Sequence, residues 1–238
     1  MLMRFLDRPI VNQIFFKKKG KILAIGDSLT VGLYDISEVQ KSHPYTILLE
    51  RLLSNDSGIK HFYSVVNAGI NGQRAKQIKK RLIKHLSEEF LFDLVIILAG
   101  TNDYLDILRN SKSRKQNFEQ HNLICYELAN QILSLHTLCH SHSVKTALLT
   151  IPEVKNERFN GSHFRRNKVC REIINAKLEQ FTEQHSKNTI LVDLADFVSK
   201  VSDNVKESKT FWADGVHFTP IGYDKMAEFV YASISRYL

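Results

Sequence analysis

The sequence predicts an α/β fold of three layers, in which helices cover both faces of a five-stranded parallel sheet. Short apolar runs recur along the chain, and a longer amphipathic stretch follows each of them. Each run is continuously apolar instead of alternating with polar residues, which is typical of strands that are covered on both faces. Strands that alternate with helices in this way indicate a doubly wound α/β/α sandwich.

The predicted strands are short and rich in β-branched residues. They lie at 21–25, 62–67, 93–98, 144–151 and 189–193. Parallel strands end at one edge of their sheet, and doubly wound sheets bind ligands beyond the carboxyl ends of the strands. We therefore expect the functional residues in the segments that directly follow these strands.

The predicted helices are longer and show apolar residues at helical spacing. They lie at 44–55, 72–90, 117–141, 165–187 and 220–237. In the second of them apolar residues recur from Ala75 to Leu86, opposite a stripe of lysines that is typical of a solvated face. The last helix begins with Thr219 as a candidate N-cap and Pro220 in the first position.

The 238 residues fit one large domain, because no linker, repeat or low-complexity tract divides them. We predict an N-terminal extension at 1–20 and one domain at 21–238. The extension does not resemble a secretory signal and is expected to be a strand, an arm or a short helix, with a mitochondrial presequence as a lesser alternative. No apolar window approaches the length of a transmembrane helix. The polar stretches 104–117 and 152–168 follow strands and are candidates for a rim or lid.

The amino-acid composition indicates which classes of binding partner and which cellular compartment to expect. A net charge of +8 suits nucleic acid, an anionic membrane or an acidic substrate, but solubility is the favoured interpretation and no specific nucleic-acid partner is expected. Three cysteines, Cys125, Cys139 and Cys170, form no disulfide framework in the sequence, which favours reduced thiols and a cytoplasmic location.

One group of residues has the spacing of metal ligands. It contains His136, Cys139, His140 and His142. The group lies at the polar end of a predicted helix and no second ligand cluster accompanies it, so we predict neither a metal nor a cofactor.

Residues that carry chemistry follow the predicted strands in chain order. Ser28 follows the first strand, Gly72 the second and Asn102 the third. Asp214 and His217 lie in the segment WADGVHFTP, just before the last helix. Segments that are distant in sequence thus meet at one edge of one sheet.

These residue types suit nucleophilic catalysis. A serine hydroxyl is a weak nucleophile that needs a base, and His217 titrates in the useful range. Asp214, on a turn that contains Gly215, is placed to orient that imidazole. The backbone N–H groups of Ser28 and Gly72 and the side-chain amide of Asn102 then supply three donors for an oxyanion.

The four segments resemble the sequence blocks of the SGNH, or GDSL, hydrolase family. The matches are GDSLTVG (26–32), NAGING (67–72), GTND (100–103) and DGVH (214–217). The resemblance extends over residues 21–237. It implies a flavodoxin-like fold and an enzyme that hydrolyses esters or thioesters without a cofactor.

The resemblance also assigns roles to individual residues. It implies a nucleophile at Ser28, a base at His217 that Asp214 orients, and an oxyanion hole formed by Ser28, Gly72 and Asn102. Gly69 is an alternative to Gly72, because both glycines lie in the same predicted turn. Directly after Gly72, Gln73–Arg74 replaces the acidic and hydroxyl residues common in the family, which puts the geometry of that loop in question.

Neighbouring residues receive supporting roles. We expect Asp27 and Asp103 to accept hydrogen bonds that fix the two loops, and Thr101 to support the backbone. The acyl pocket is expected to include side chains chosen by position alone. They are Tyr34, Tyr104 and Phe159.

The sequence thus predicts an esterase that acts on a small ester or acyl substrate. Two alternatives stay open. An acyltransferase would use the same residues with an alcohol in place of water, and a non-catalytic module would use the basic surface for binding. The sequence does not determine the acyl chain length, the alcohol moiety or the oligomeric state.

Overall fold

A computed structural model describes residues 18–36, 39–87, 92–111, 118–155 and 162–238. Its five-stranded sheet is parallel throughout, in the order β4-β1-β5-β6-β7. The strands of this sheet are β1 (Lys18–Gly26), β4 (His61–Gly69), β5 (Leu94–Leu98), β6 (Lys145–Leu149) and β7 (Thr189–Val192). All five predicted strands are confirmed, and their order is the flavodoxin-like one.

Helices cover both faces of the sheet. The helices are α1 (Ser28–Val31), α2 (Tyr45–Asn55), α3 (Ala75–Ser87), α4 (Thr101–Ser111), α5 (Phe118–Ser141), α6 (Ser162–Gln184), α7 (Leu194–Asp203), α8 (Val205–Phe211) and α9 (Pro220–Ile234). Helices α2, α7 and α9 pack on one face, and α3, α5 and α6 pack on the other. This arrangement confirms the three-layer prediction.

The continuously apolar strands explain why a hydrophobic core forms on each face of the sheet. In β1, Ile22 and Ala24 face the core that α2 and α9 complete, whereas Leu23 and Ile25 face the core beneath α3. All four side chains are fully buried. Burial of a leucine or isoleucine contributes about 1.5–3 kcal/mol, so neither face of β1 tolerates a polar residue.

The register of the sheet aligns the strand ends that matter most. Gly26 at the end of β1 pairs with Gly69 of β4 and with Leu98 of β5. Ser28, Gly72 and Asn102 therefore start from one edge of the sheet, each within four residues of its strand end. The strand order reverses at β1, and such a switch point is where this topology binds ligands.

Several elements were not predicted. The short strands β2 (Leu33–Ile36) and β3 (Val39–Ser42) form a separate antiparallel pair, and α1, α4, α7 and α8 are helices absent from the sequence reading. In the candidate rim or lid at 104–117, residues 104–111 belong to α4 and residues 112–117 lie outside the described residues. In the candidate at 152–168, residues 156–161 lie outside the described residues and residues 162–168 begin α6. Most of the predicted extension at 1–20 lies outside the described residues, although its last three residues belong to β1.

Candidate active site

Ser28 is held at the carboxyl end of β1 by a single helical turn. Asp27 caps this turn, because one of its carboxylate oxygens accepts a hydrogen bond from the Leu29 N–H at 3.0 Å. Gly32 ends the turn in the left-handed conformation, with a φ of 76°, which a glycine adopts at little cost. The turn thus fixes the Ser28 side chain, which is almost wholly buried.

Asp214 and His217 lie on one tight turn. Oδ1 of Asp214 accepts hydrogen bonds from the N–H groups of Val216 and His217, each at 2.6 Å. Its other oxygen, Oδ2, lies 2.7 Å from Nδ1 of His217. One carboxylate therefore shapes the turn and orients the imidazole at the same time.

Aromatic side chains anchor this turn on both sides. Trp212 and Phe218 pair across its base, with ring centroids 5.2 Å apart, and Phe218 also packs against Phe211 and Tyr223. The Trp212 indole N–H donates to the Ser202 hydroxyl at 3.1 Å. Loss of one buried ring of this kind costs about 3–5 kcal/mol, so the turn is fixed by the core beneath it.

His217 contacts Ser28 in space, although the two residues are far apart in the sequence. Its Nε2 lies 2.9 Å from Oγ of Ser28, although 189 positions separate the two residues. With Nδ1 protonated and held by Asp214, Nε2 is unprotonated and can accept a hydrogen bond from the Ser28 hydroxyl. The structure therefore brings together the three residues predicted to act as nucleophile, base and orienter.

Charges around His217 set its protonation. Burial by itself lowers the pKa of His217, but the hydrogen bond and charge of Asp214 outweigh it, and the charges of Asp27 and Asp35 add to the increase. The pKa of His217 is consequently raised above 6.5. Burial opposes ionisation of Asp214 too, yet the hydrogen bonds from His217 and Val216 lower its pKa to about 2. The pair is thus an aspartate beside a histidine that binds a proton more tightly than usual.

Gly72 lies in the turn after β4, with a φ of 72° and open space where a Cβ would project. Among the described residues, its N–H has no hydrogen-bond acceptor. Gly69, the alternative, is the last residue of β4, and its N–H donates to Oδ1 of Asn67 at 2.9 Å. Gly72 is therefore the glycine whose N–H is available for an oxyanion.

Asn102 lies near the start of α4 and reaches the same turn. Its Nδ2 donates to the Gln73 carbonyl at 3.0 Å, which fixes the plane of the amide. An amide nitrogen carries two N–H groups, so the second is available for a ligand.

The residues predicted to support these loops lie close by. Asp103 accepts the Ala75 N–H at 2.9 Å and so links α4 to the start of α3. Burial raises the pKa of Asp27 to about 6, although the Leu29 N–H, the Thr101 hydroxyl and the charge of His217 act against the increase. Thr101 is buried beside it.

Comparison with known proteins identifies the family. The sequence model described as GDSL-like Lipase/Acylhydrolase matches residues 22–230, which is most of the chain. The chain belongs to the GDSL-like lipase/acylhydrolase family. It is therefore a GDSL-type hydrolase of carboxylic esters.

Solved structures of two GDSL proteins and of an acetylxylan esterase share the fold. A putative GDSL-like lipase from Parabacteroides merdae is 22% identical with a TM-score of 0.68, and the match covers 92% of this chain and 97% of that one. A lipolytic G-D-S-L family member from Veillonella parvula is 16% identical with a TM-score of 0.65, covering 91% and 98%. The acetylxylan esterase Axe2 from Geobacillus stearothermophilus is 20% identical with a TM-score of 0.64, covering 92% and 96%. A search of curated proteins finds no match.

The cysteine prediction for this GDSL protein is wrong in one respect. Cys125 of α5 and Cys170 of α6 form a disulfide, whereas Cys139 is a buried free thiol. The three cysteines are therefore not all reduced. The cytoplasmic location rested partly on that expectation and stays a prediction with less support. No helix in the described part of the chain is long and apolar enough to span a membrane.

The histidine and cysteine group at 136–142 does not form a metal site in the described structure. His136 and Cys139 are buried in the core, and Nε2 of His140 lies 3.1 Å from the Thr189 hydroxyl. Within the described ranges, His121 lies with Cys125 and Cys170 in the one group that has ligand-like spacing. Its two sulfurs form the disulfide and are not thiolate ligands.

The three residues predicted to line the acyl pocket differ in where they lie. Tyr104 is fully buried in the core between α4, α5 and α6, so it does not line an open pocket as predicted. Tyr34 lies half-buried on β2, after the Ser28 turn, and Phe159 lies outside the described residues.

Sequence reasoning overlooked Arg81 of α3. Its guanidinium contacts the ends of β1 and β4 and the side chain of Gln73. A signal was present in the sequence, because Arg81 adjoins Leu82 and lies three residues after Ile78, beside the buried stripe of its helix. A cation in that position needs partners inside the protein.

Proposed function

We propose that the protein is a serine esterase that hydrolyses a small carboxylic ester or thioester through an acyl-enzyme on Ser28. The observation that carries the proposal is the hydrogen-bonded series from Asp214 through His217 to Ser28, at 2.7 and 2.9 Å. Such a series makes a serine hydroxyl nucleophilic near neutral pH. Membership in the GDSL-like family supports the same chemistry.

Acylation begins at the Ser28 oxygen. Oγ attacks the ester carbonyl while Nε2 of His217 takes the hydroxyl proton, and the carbonyl oxygen becomes an oxyanion. The N–H groups of Ser28 and Gly72 and the free N–H of the Asn102 amide stabilise that charge. His217 then gives its proton to the departing alcohol or thiol, and the acyl group stays on Ser28.

Deacylation repeats the sequence with water. Water loses a proton to Nε2 of His217 and attacks the acyl carbonyl, and the same three donors stabilise the second oxyanion. The Ser28 oxygen recovers the proton as the acid leaves. Asp214 stays ionised throughout, because its pKa of about 2 keeps it a carboxylate at any pH at which His217 acts as a base.

The test is an ester panel assayed with wild-type protein and the Ser28→Ala variant. p-Nitrophenyl esters from acetyl to palmitoyl and a series of acyl-CoA thioesters cover the substrate classes. Acetyl esters belong in the panel because one structural relative is an acetylxylan esterase. We expect Ser28→Ala to reduce turnover by ~10⁴-fold or more, since a serine triad loses most of its rate with its nucleophile.

A fluorophosphonate probe provides an independent readout. It should label the wild-type protein at Ser28, as mass spectrometry of the labelled peptide reports, and leave Ser28→Ala unlabelled. Folded wild-type protein that neither turns over any ester nor reacts with the probe would refute the proposal and favour the binding module. Acyl transfer to an added alcohol, in preference to water, would identify the acyltransferase.

A further inference from the structure

Arg81 of α3 connects three separate segments of the site. Its NH2 group donates to the Gly26 carbonyl at 3.0 Å, and its NH1 group donates to the Ala68 carbonyl at 2.5 Å. Its Nε donates to Oε1 of Gln73 at 2.7 Å. Gly26 ends the strand before Ser28, and Gln73 follows Gly72, so one cation joins the nucleophile strand to the glycine turn.

The network continues from Gln73 to the third oxyanion donor. The Gln73 side chain accepts from Arg81, while the Gln73 backbone carbonyl accepts from Nδ2 of Asn102. Arg81, Gln73 and Asn102 thus form a continuous series of hydrogen bonds. The residue that departs from the family pattern, Gln73, is the link that joins the glycine turn to Asn102.

The chemistry of the guanidinium suits this role. Burial lowers the pKa of Arg81, but a guanidinium stays charged in proteins, and its hydrogen bonds to carbonyls are charge-assisted. Its planar fork reaches acceptors in three directions, which a lysine ammonium cannot reproduce. The Gly26 carbonyl also accepts the Ile70 N–H at 3.2 Å, so the same atom connects β1 to the start of the glycine turn.

We infer that Arg81 is a positioning residue for the oxyanion hole, and that it acts through Gln73 on the Gly72 N–H and the Asn102 amide. The inference rests on the proposed esterase function. Since Nε, NH1 and NH2 of Arg81 all donate to acceptors of the protein itself, its loss should weaken binding of the transition state and leave binding of the ground state almost unchanged.

The experiment compares Arg81→Met, Arg81→Lys, Gln73→Leu and Gln73→Glu with wild type on one p-nitrophenyl ester. Both Arg81 variants and Gln73→Leu should lower kcat by roughly 10–10²-fold, with KM within about twofold of wild type. Complete removal of one oxyanion donor lowers kcat by about 10²–10³-fold, and a donor that is only displaced should cost less. Gln73→Glu keeps an acceptor for the guanidinium and should retain most of the activity. The double variant Arg81→Met with Gln73→Leu should be no slower than the slower single variant, since both remove the same link.

A transition-state analogue separates positioning from general stability. An alkyl trifluoromethyl ketone forms an oxyanion on Ser28, so its affinity should fall in parallel with kcat, whereas affinity for the product acid should not change. Lys79→Met is the matched control, because Lys79 is a cation of the same helix whose Nζ bonds the Ser134 hydroxyl at 3.0 Å, away from the site. Its kcat should equal that of wild type.

Two outcomes would overturn the inference. Folded Gln73→Leu with unchanged kcat and unchanged ketone affinity excludes the link, even if the Arg81 variants fail to fold. A rise in KM confined to anionic esters, with kcat unchanged, would make Arg81 a substrate-binding residue instead. Wild-type protein without Ser28-dependent turnover would instead refute the esterase function, which is a separate and distinguishable failure.

Discussion

The replacement Asp214→Asn tests the orientation of His217 with almost no change in shape. Oδ1 of Asp214 accepts two backbone N–H groups and Oδ2 accepts one imidazole N–H. An asparagine has one acceptor oxygen, and keeping it on the two backbone groups turns its NH2 toward Nδ1 of His217. That arrangement demands an unprotonated Nδ1, so the proton moves to Nε2, the atom that must accept the Ser28 proton.

The magnitude follows from the two losses. In the opposite orientation the asparagine NH2 would face the backbone N–H groups of Val216 and His217 and leave them without an acceptor, at a cost of about 1–3 kcal/mol. The inactive His217 tautomer, with its proton on Nε2, therefore dominates by roughly 10–10²-fold. The imidazolium also loses a carboxylate. A charge pair at about 4 Å near a surface is worth about 4 kcal/mol, and we take half of this because both side chains are partly exposed. Half of 4 kcal/mol is a factor of about 30, so together the two losses predict a decrease in kcat of roughly 3 × 10²–3 × 10³-fold.

The assay is steady-state hydrolysis of the best p-nitrophenyl ester, with thermal melting as a control for folding. The melting temperature should stay close to that of wild type, because the asparagine retains the two hydrogen bonds that shape the turn and the aromatic anchor is untouched. Labelling by the fluorophosphonate probe should slow in proportion to kcat. If the folded variant keeps kcat within tenfold of wild type, Asp214 does not orient the base.

Three further changes test the remaining parts of the site. Asn102→Ala should lower kcat by ~10²–10³-fold with the fold intact, and full activity would exclude Asn102 from the oxyanion hole. The acid limb of kcat/KM should have its midpoint above 6.5, because the pKa of His217 is raised and the base must be neutral to act; a flat profile down to pH 5 would exclude His217. Asp27→Asn should stabilise the protein increasingly as pH rises. The pKa of Asp27 is raised from 3.8 to about 6, so the folded state prefers the neutral acid and loses stability once the pH exceeds the unfolded value. Urea unfolding should show a gain for the variant of as much as ~3 kcal/mol at pH 8 and little gain at pH 4, and equal gains at both would contradict the assignment.

The five strands of the sheet were predictable because each is buried on both faces and therefore continuously apolar. The elements that were missed lack such a pattern. The sequence of helix α4 contains Asp103, Asp106 and Arg109 and therefore predicts a polar loop. In the structure the Tyr104 side chain is fully buried in the core and holds this segment against the protein. Its helical state depends on packing against α5 and α6, and that contact is not encoded in local periodicity.

The placement of three candidate site residues was predictable for a related reason. Ser28, Gly72 and Asn102 each follow a strand directly, so knowing the strands is enough to bring them to one edge. The Cys125–Cys170 pairing and the role of Arg81 depend instead on the side-by-side placement of helices. Cysteine spacing does not determine pairing, and a helical arginine reveals its partners only when the strand ends beneath it are known.

The two halves of the site are built on different supports. Ser28, Gly72 and Asn102 start from aligned strand ends, and Arg81 binds two of those segments together. His217 instead lies on a turn whose position depends on the aromatic core below it, and one hydrogen bond of 2.9 Å joins the imidazole to the serine. Substitutions beneath the turn should therefore alter the rate by moving the base, whereas substitutions around Arg81 should alter it by moving the oxyanion donors. The pH dependence of kcat/KM distinguishes them, because moving the base alters the group that titrates on the acid limb, whereas displaced oxyanion donors lower the plateau rate and leave that limb in place.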